Sequence, residues 1–186
     1  MSDRLALLQE RMHISPAYAA SVGYFLFAFA EVESETDRAI WAILGLTGKR
    51  GGHEITTAIR DFGQRMLLLT KLSNARLASP EARADCAKVV SAISFLNARR
   101  VDLVHSAHIV WAPDTENTVL SRMVSERDYV RHVTANYSTD YLCELAHYAA
   151  TTAEATRLFW LSIRRGPGQP LPSLDKRPTP PSPTIP

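Results

Sequence analysis

The residues with the clearest capacity for chemistry lie in one stretch of the chain, from Ser91 to Trp111. This stretch begins with helical periodicity and contains the basic residues Arg99, Arg100 and His105, with Asp102 among them. Arginine presents planar donors that hold a phosphate or a carboxylate, and histidine exchanges protons near neutral pH. The combination therefore predicts a site that binds an anion and transfers a proton.

Arg100 occupies a position where the helical pattern predicts an apolar side chain. Small or apolar residues recur at three- and four-residue steps along the same stripe: Val89, Ile93, Leu96, Leu103 and Ala107. A guanidinium placed against a core without a partner costs roughly several kcal/mol, so we expect an anion beside it. Glu31 and Glu35, one turn apart on an earlier helix, are the candidates, and a solvated acidic face is the alternative for them.

His105 does not share that stripe. Five residues at about 100° each place it roughly 140° around the helix from Arg100. Either the helix loosens near Ser106, or two copies of the helix face each other, so that Arg100 of one chain meets His105 of the other. The second arrangement requires a two-fold homodimer.

The segment from Asn97 to Ser106, NARRVDLVHS, resembles the signature of the HEPN superfamily, in which an arginine is followed by four residues and then a histidine. In this alignment Arg100 and His105 are the motif pair, and the resemblance covers the chain from about residue 15 to residue 165. It implies an all-α domain that cuts RNA without a metal or cofactor, as a homodimer with a composite cleft. Toxins and defence effectors occur among such proteins, which makes an antitoxin-like protein a candidate partner.

The resemblance also assigns roles to residues. His105 would transfer protons and Arg100 would hold the phosphate. The family commonly has Asn, Asp or His directly after the arginine, where this chain has Val101, so Asp102 or Asn97 would supply the missing polar group. The remaining candidates are two residues that would contact RNA and two carboxylates that would orient the motif arginine: Arg99 and His108, and Glu31 and Glu35.

Two other interpretations fit the same residues. The first is a non-catalytic HEPN-like dimer that serves as a binding or regulatory module. Such a protein does not need a polar residue after the motif arginine, where this chain has Val101. In the simplest interpretation, the arginine and histidine lie near a helix C-terminus, where cations favour the negative end of the helix dipole.

The composition of the chain narrows these possibilities. Its 186 residues and 46% hydrophobic content suit one domain with a tail. The net charge of +2 is too small to indicate a nucleic-acid-binding protein from composition alone, so any RNA binding has to depend on a local group of basic residues. Cys86 and Cys143 form neither a disulfide framework nor a zinc spacing, which predicts a reducing cytoplasm. We expect no signal peptide, and the apolar run Ala17–Ala30 is shorter than the roughly 20 residues of a membrane span.

The periodicity predicts an all-α fold, an up-and-down bundle of four to five helices with a small β-hairpin inserted after the motif helix. Ser15, Ser79 and Ser138 are predicted helix caps, two of them followed by proline. The expected helices cover about residues 16–46, 54–77 and 80–106, with a last one beginning at residue 138. Residues 49–53 are expected to form a basic loop. Residues 1–165 make the helical domain, and the proline-rich residues 166–186 make a disordered tail.

Overall fold

The computed structural model describes residues 15–46, 49–105, 107–111, 117–125, 130–166 and 168–181. Of these, residues 49–50 and the described residues between 105 and 136 are described for the backbone only. Within these ranges the chain forms five helices and three strands. In chain order they are α1 (Pro16–Ile43), α2 (Lys49–Ala58), α3 (Phe62–Arg76), α4 (Pro80–His105), β1 (Ala107–Trp111), β2 (Asn117–Ser125), β3 (Val130–Ser138) and α5 (Thr139–Arg165). The predicted all-α helical bundle is confirmed.

Helix α1 begins where the sequence predicts. The hydroxyl of Ser15 accepts a hydrogen bond from the backbone N–H of Tyr18 at 3.1 Å, as an N-cap does. The helix ends before Gly45, whose φ of 72° is readily available only to glycine. In the described part of the chain, no helix combines the length and the apolarity needed to cross a bilayer.

The expected second helix is two helices, separated at residues 59–61. Helix α3 has its own cap, since the side chain of Asp61 accepts a hydrogen bond from the N–H of Gln64 at 2.8 Å. The prediction of a loop at residues 49–53 is wrong, because this segment is the first part of α2. A Cβ at Gly52 would lie 2.5 Å from the ring of Trp41, so glycine permits a close contact between this helix and α1. That tertiary contact outweighs the weak helix propensity of glycine.

The starts of α4 and α5 also follow the predicted caps. The hydroxyl of Ser79 accepts from the N–H of Ala82 at 3.2 Å, and that of Ser138 accepts from the N–H of Tyr141 at 3.1 Å. Helix α4 runs without interruption to His105. The motif residues therefore lie at the C-terminal end of a long, regular helix, as predicted.

The β insertion is larger than the predicted hairpin. The strands form one antiparallel sheet in the order β1-β2-β3, and β2 pairs with β3 from Asn117 opposite Ser138 to Ser125 opposite Val130. The pairing of β1 with β2 has an irregularity between His108 and Val110. Strand β3 is formed up to Asn136 by residues for which the sequence pattern predicts no structure, and it ends with Tyr137 and Ser138, which were predicted to open the last helix. The sheet joins the end of α4 to the start of α5.

The chain divides into two compact units. The first takes the described residues up to Leu26, those from Ala98 to Ala146 and those from Pro178 onward; the second takes Phe27–Asn97 and His147–Arg177. Each unit has its own set of fully buried large side chains. In the first they are Tyr18, Phe25, Tyr137, Leu142 and Leu145, and in the second Val32, Ile40, Leu69, Ile93, Leu96 and Phe159.

The proline-rich segment forms neither helix nor strand over residues 168–181, as its proline content predicts. Leu174 within this segment is nevertheless buried, with 9% of its surface exposed. The expectation of a disordered tail does not include such a contact. Residues 182–186 lie outside the described residues.

Candidate functional site

The structure places most of the predicted site residues on the last turns of α4. Four of them are half-buried side chains of this helix: Asn97, Arg99, Arg100 and Asp102. His105 is the last residue of the helix, and His108 is the second residue of β1, where it pairs with Leu120. The side chains of these two histidines lie outside the described part of the structure.

The regularity of α4 constrains how Arg100 and His105 can act together. The helix continues through both positions, so their backbones are separated by about 140° around the axis and by about 7.5 Å along it. The loosening expected near Ser106 falls on a residue that the structure does not describe. Up to His105, the helix gives the two motif residues different directions.

Beside Arg100, two other motif-helix residues form a compact polar group with two tyrosines. We call this group the Arg99 cluster; it consists of Arg99, Asp102, Tyr137 and Tyr141. Arg99 Nη1 lies 3.4 Å from Asp102 Oδ2 in an ion pair one helical turn apart. The same carboxylate oxygen accepts a hydrogen bond from the Tyr137 hydroxyl at 3.1 Å. Arg99 Nη1 also donates to that hydroxyl at 3.5 Å.

The aromatic half of the Arg99 cluster comes from the end of β3 and the start of α5. The rings of Tyr137 and Tyr141 meet edge to face, with centroids 5.2 Å apart and an interplanar angle of 61°. Tyr137 is fully buried and Tyr141 is 7% exposed. The hydroxyl of Tyr141 is buried and has no hydrogen-bond partner among the described residues.

Burial and charge together set the titration of the Arg99 cluster. Burial raises the pKa of Tyr137, and the Asp102 carboxylate raises it further, because a phenolate there would face a like charge. Burial also raises the pKa of Tyr141, to about 12. For Arg99, burial alone would lower the pKa, but Tyr137 and Asp102 favour the charged guanidinium and the net pKa is raised. Arg99 is therefore a permanent cation at neutral pH, and both tyrosines are neutral.

This geometry bears on two of the predicted roles. Asp102 directs its carboxylate at Arg99 and at the Tyr137 hydroxyl, so it joins α4 to the end of the sheet. Its predicted catalytic role and the predicted RNA contact of Arg99 stay predictions. Sequence reasoning missed both tyrosines, although an aromatic pair four residues apart at a strand-to-helix junction is the kind of signal that could have indicated them.

The two carboxylates predicted to orient Arg100 lie on α1 and differ in environment. Glu31 is exposed, whereas Glu35 is 8% exposed. Glu35 Oε2 accepts a hydrogen bond from the indole N–H of Trp160 at 2.6 Å, and Oε1 pairs with Arg38 at 2.5 Å. Glu35 thus has two partners within the second unit. The predicted contact of either carboxylate with Arg100 stays a prediction.

Comparison of the chain with protein-family models, with curated proteins and with solved structures finds no match. The likeness to HEPN domains therefore depends on the motif residues and their helical setting. In the portions of the chain that the structure describes, no three His, Cys, Asp or Glu side chains lie close enough together to hold a metal ion.

Proposed function

We propose that this chain is a metal-independent endoribonuclease that acts as a homodimer, with Arg100 of one chain and His105 of the other at each site. The observation that supports the proposal most is the uninterrupted helix through both residues, which separates their directions within one chain. Arg100 is half-buried on the last turns of α4, and in the proposal its ligand is the phosphate. The proposal places the protein in the cytoplasm, with an antitoxin-like protein as its candidate partner.

The chemistry follows from the two residue types. His105 removes the proton from an RNA 2′-hydroxyl, whose oxygen attacks the adjacent phosphorus while the bond to the 5′-oxygen of the next nucleotide breaks. That oxygen takes up the proton that His105 removed from the 2′-hydroxyl, which restores the neutral histidine, and the products carry a 2′,3′-cyclic phosphate and a 5′-hydroxyl. Arg100 holds the non-bridging phosphate oxygens and stabilises the charge that grows on them. DNA lacks the attacking hydroxyl and would not be cut.

The Arg99 cluster gives this site a rigid base. Asp102 bonds to Tyr137 and pairs with Arg99, so the turn of α4 that carries Arg100 is held against the strand end that precedes α5. Precise placement of a phosphate clamp requires such support from neighbouring side chains. In this proposal Asp102 and Arg99 also position the site, Asn97 remains a candidate for the missing polar group, and His108 remains a candidate for a contact with RNA.

The direct test is cleavage of a mixed RNA pool, containing single-stranded and structured species, in EDTA. We expect the wild-type chain to produce 2′,3′-cyclic phosphate ends, and we expect His105→Ala and Arg100→Ala to lower the rate at least about 100-fold. His147→Ala and Arg76→Ala are the matched controls, because both residues are exposed on other helices and have no assigned role. Equal cleavage by all five chains would contradict the proposal.

A non-catalytic dimeric binding or regulatory module is the second candidate. Two observations favour it: Val101 follows the motif arginine, and the carboxylate of Asp102 is committed to Tyr137 and Arg99. In that case the folded wild-type chain binds RNA or a nucleotide without cutting it. Arg100→Ala would then weaken binding and reduce its dependence on salt, which a filter-binding titration at several salt concentrations measures.

A further inference from the structure

The proline-rich segment after α5 is seated on the second unit by two anchors. The first anchor is Leu174, whose side chain is buried and whose backbone carbonyl accepts a hydrogen bond from the Tyr148 hydroxyl at 2.9 Å. Tyr148 lies on α5 and is itself 5% exposed. A buried hydroxyl that donates to a backbone carbonyl recognises an extended chain without regard to the side chain at that position.

The second anchor is Arg177, three residues further along. Its guanidinium lies 5.7 Å from the centre of the Phe95 ring, and Nη2 donates to the hydroxyl of Ser91 at 2.8 Å. The rings of Phe95 and Tyr148 pack edge to face with their centroids 5.8 Å apart, so the two anchors bind to adjacent aromatic side chains. We call this surface the α4–α5 groove; it is formed by Ser91, Phe95 and Tyr148.

Between the anchors, the side chains of the segment are exposed to solvent. The side chains of Ser173, Asp175 and Lys176 are exposed. A cavity of about 690 Å³ is lined by Leu171–Asp175 and Arg177 of the segment and by small residues and one lysine of α4, namely Ala84, Ala87, Lys88 and Ser91. The segment also follows Gly166, whose φ of 89° marks a sharp change of direction after the helix. The contact is therefore local and could form again after release.

We propose that the α4–α5 groove is a recognition site for an extended peptide that carries leucine and, three residues later, arginine, and that the chain's own segment Leu171–Arg177 occupies it in cis. The recognised features are one backbone carbonyl, one apolar side chain and one guanidinium over an aromatic ring, and a separate peptide can offer all three. Prolines keep such a peptide extended before it binds, which lowers the entropy cost of ordering it. A partner protein with this pattern would bind when the cis segment is displaced, and the proposal does not depend on RNA cleavage.

Tethering makes the cis segment a strong competitor. A short linker gives a tethered ligand an effective concentration of about 1 mM. For a peptide that binds the open groove with a dissociation constant of about 0.1 mM, that competition weakens the apparent affinity roughly tenfold. Release of the cis segment should therefore raise the apparent affinity for an added peptide by about this factor.

The experiment uses the full chain and a fluorescein-labelled synthetic peptide with the sequence of residues 168–181, followed by fluorescence anisotropy. Leu174→Asp in the chain places a charge in the buried site and should release the cis segment. We expect this variant to bind the peptide about ten times more tightly than the wild type. Thr179→Asp adds the same charge at an exposed position of the same segment and should behave as the wild type does. A peptide with Asp in place of Leu174 should not bind.

Two results would overturn the proposal. Equal binding of the peptide to wild type and Leu174→Asp would place it elsewhere on the chain, and absence of binding to every chain would show that the groove has no affinity of its own. Arg177→Glu provides an independent opening variant, because it removes the second anchor at an exposed residue. It too should bind the wild-type peptide more tightly, and circular dichroism checks that both variants are folded.

Discussion

Mixing two inactive variants tests the proposed composite site directly. Arg100→Ala and His105→Ala each remove one half of every site. If Arg100 acts with His105 of the other subunit, a heterodimer of the two variants contains one site with both residues and one site with neither. Equal amounts that pair at random form heterodimers in half of the dimers, so we expect about a quarter of the wild-type cleavage rate.

This expectation rests on the geometry of α4. Two positions five residues apart on a regular helix are about 7.5 Å apart along the axis, and with side chains extending to roughly 5–6 Å from the axis their ends are about 13 Å apart. The Arg100 guanidinium and the His105 imidazole must both lie within hydrogen-bond distance, roughly 3 Å, of the same reacting phosphate group. One chain with a continuous helix to His105 does not easily satisfy both distances.

A second mixture makes the assay decisive. Wild type is combined with an equal amount of the double variant Arg100→Ala/His105→Ala. Sites shared between subunits leave about a quarter of the rate of wild type at the same total concentration, because every heterodimer is inactive; sites within one chain leave about half. RNA cleavage in EDTA measures both mixtures, and size-exclusion chromatography shows that the subunits have exchanged. No recovery in the first mixture, together with half the rate in the second, would refute the composite site.

Three further predictions concern the environment of the site. Tyr137→Phe should lower the free energy of unfolding by about 1.5–2 kcal/mol, because it removes the hydroxyl that bonds to Asp102. Tyr141→Phe should change the free energy of unfolding by less than about 0.5 kcal/mol, because its buried hydroxyl has no partner among the described residues. Urea unfolding measures both variants, and equal losses of stability would contradict the assignment. The same tyrosines predict a loss of stability at high pH. Burial raises the pKa of Tyr141 to about 12 and also raises the pKa of Tyr137. The folded chain therefore keeps the phenolic protons that the unfolded chain releases above about pH 10. Their contribution is complete below pH 10 and should fall by about 1.4 kcal/mol per pH unit for each residue between pH 10 and 12, a slope that should become shallower in Tyr141→Phe. Glu35→Gln should lower the free energy of unfolding by about 1–2 kcal/mol, because it weakens the contacts of this carboxylate with Arg38 and the Trp160 indole. Glu31→Gln, at an exposed position, should leave the free energy of unfolding almost unchanged. A large fall in cleavage rate with Glu35→Gln at unchanged stability would instead indicate that Glu35 acts on Arg100.

Local signals in the sequence predicted where α1, α4 and α5 begin, because a cap is a contact between residues three positions apart. The Ser79 hydroxyl meets the N–H of Ala82, and no distant residue is needed to form that bond. The first part of α2 was mispredicted for the opposite reason. Its glycines favour a loop on local grounds, and the contact that favours the helix comes from Trp41, on another element.

The candidate site shows the same division. Arg99, Arg100 and Asp102 are close in sequence, and their common position near the end of α4 follows from helical periodicity alone. Tyr137 lies near the end of β3, the last strand of the β insertion, and its approach to Asp102 depends on strand pairing that periodicity does not specify. The seating of Leu174 on Tyr148 is likewise a long-range contact, made by a segment whose composition predicts only an extended chain.

The Arg99 cluster includes Asp102, one of the two residues predicted to replace the polar group that is missing at Val101. A polar residue directly after the motif arginine would lie about 100° around the helix from it, while Asp102 lies about 200° around, on the side that faces Tyr137. The carboxylate of Asp102 bonds to a tyrosine and pairs with an arginine, and its predicted role at the phosphate stays a prediction. What it can do is fix the turn of α4 that carries Arg100. In the proposed site His105 transfers the protons, so the cleavage rate should follow the protonation of that histidine.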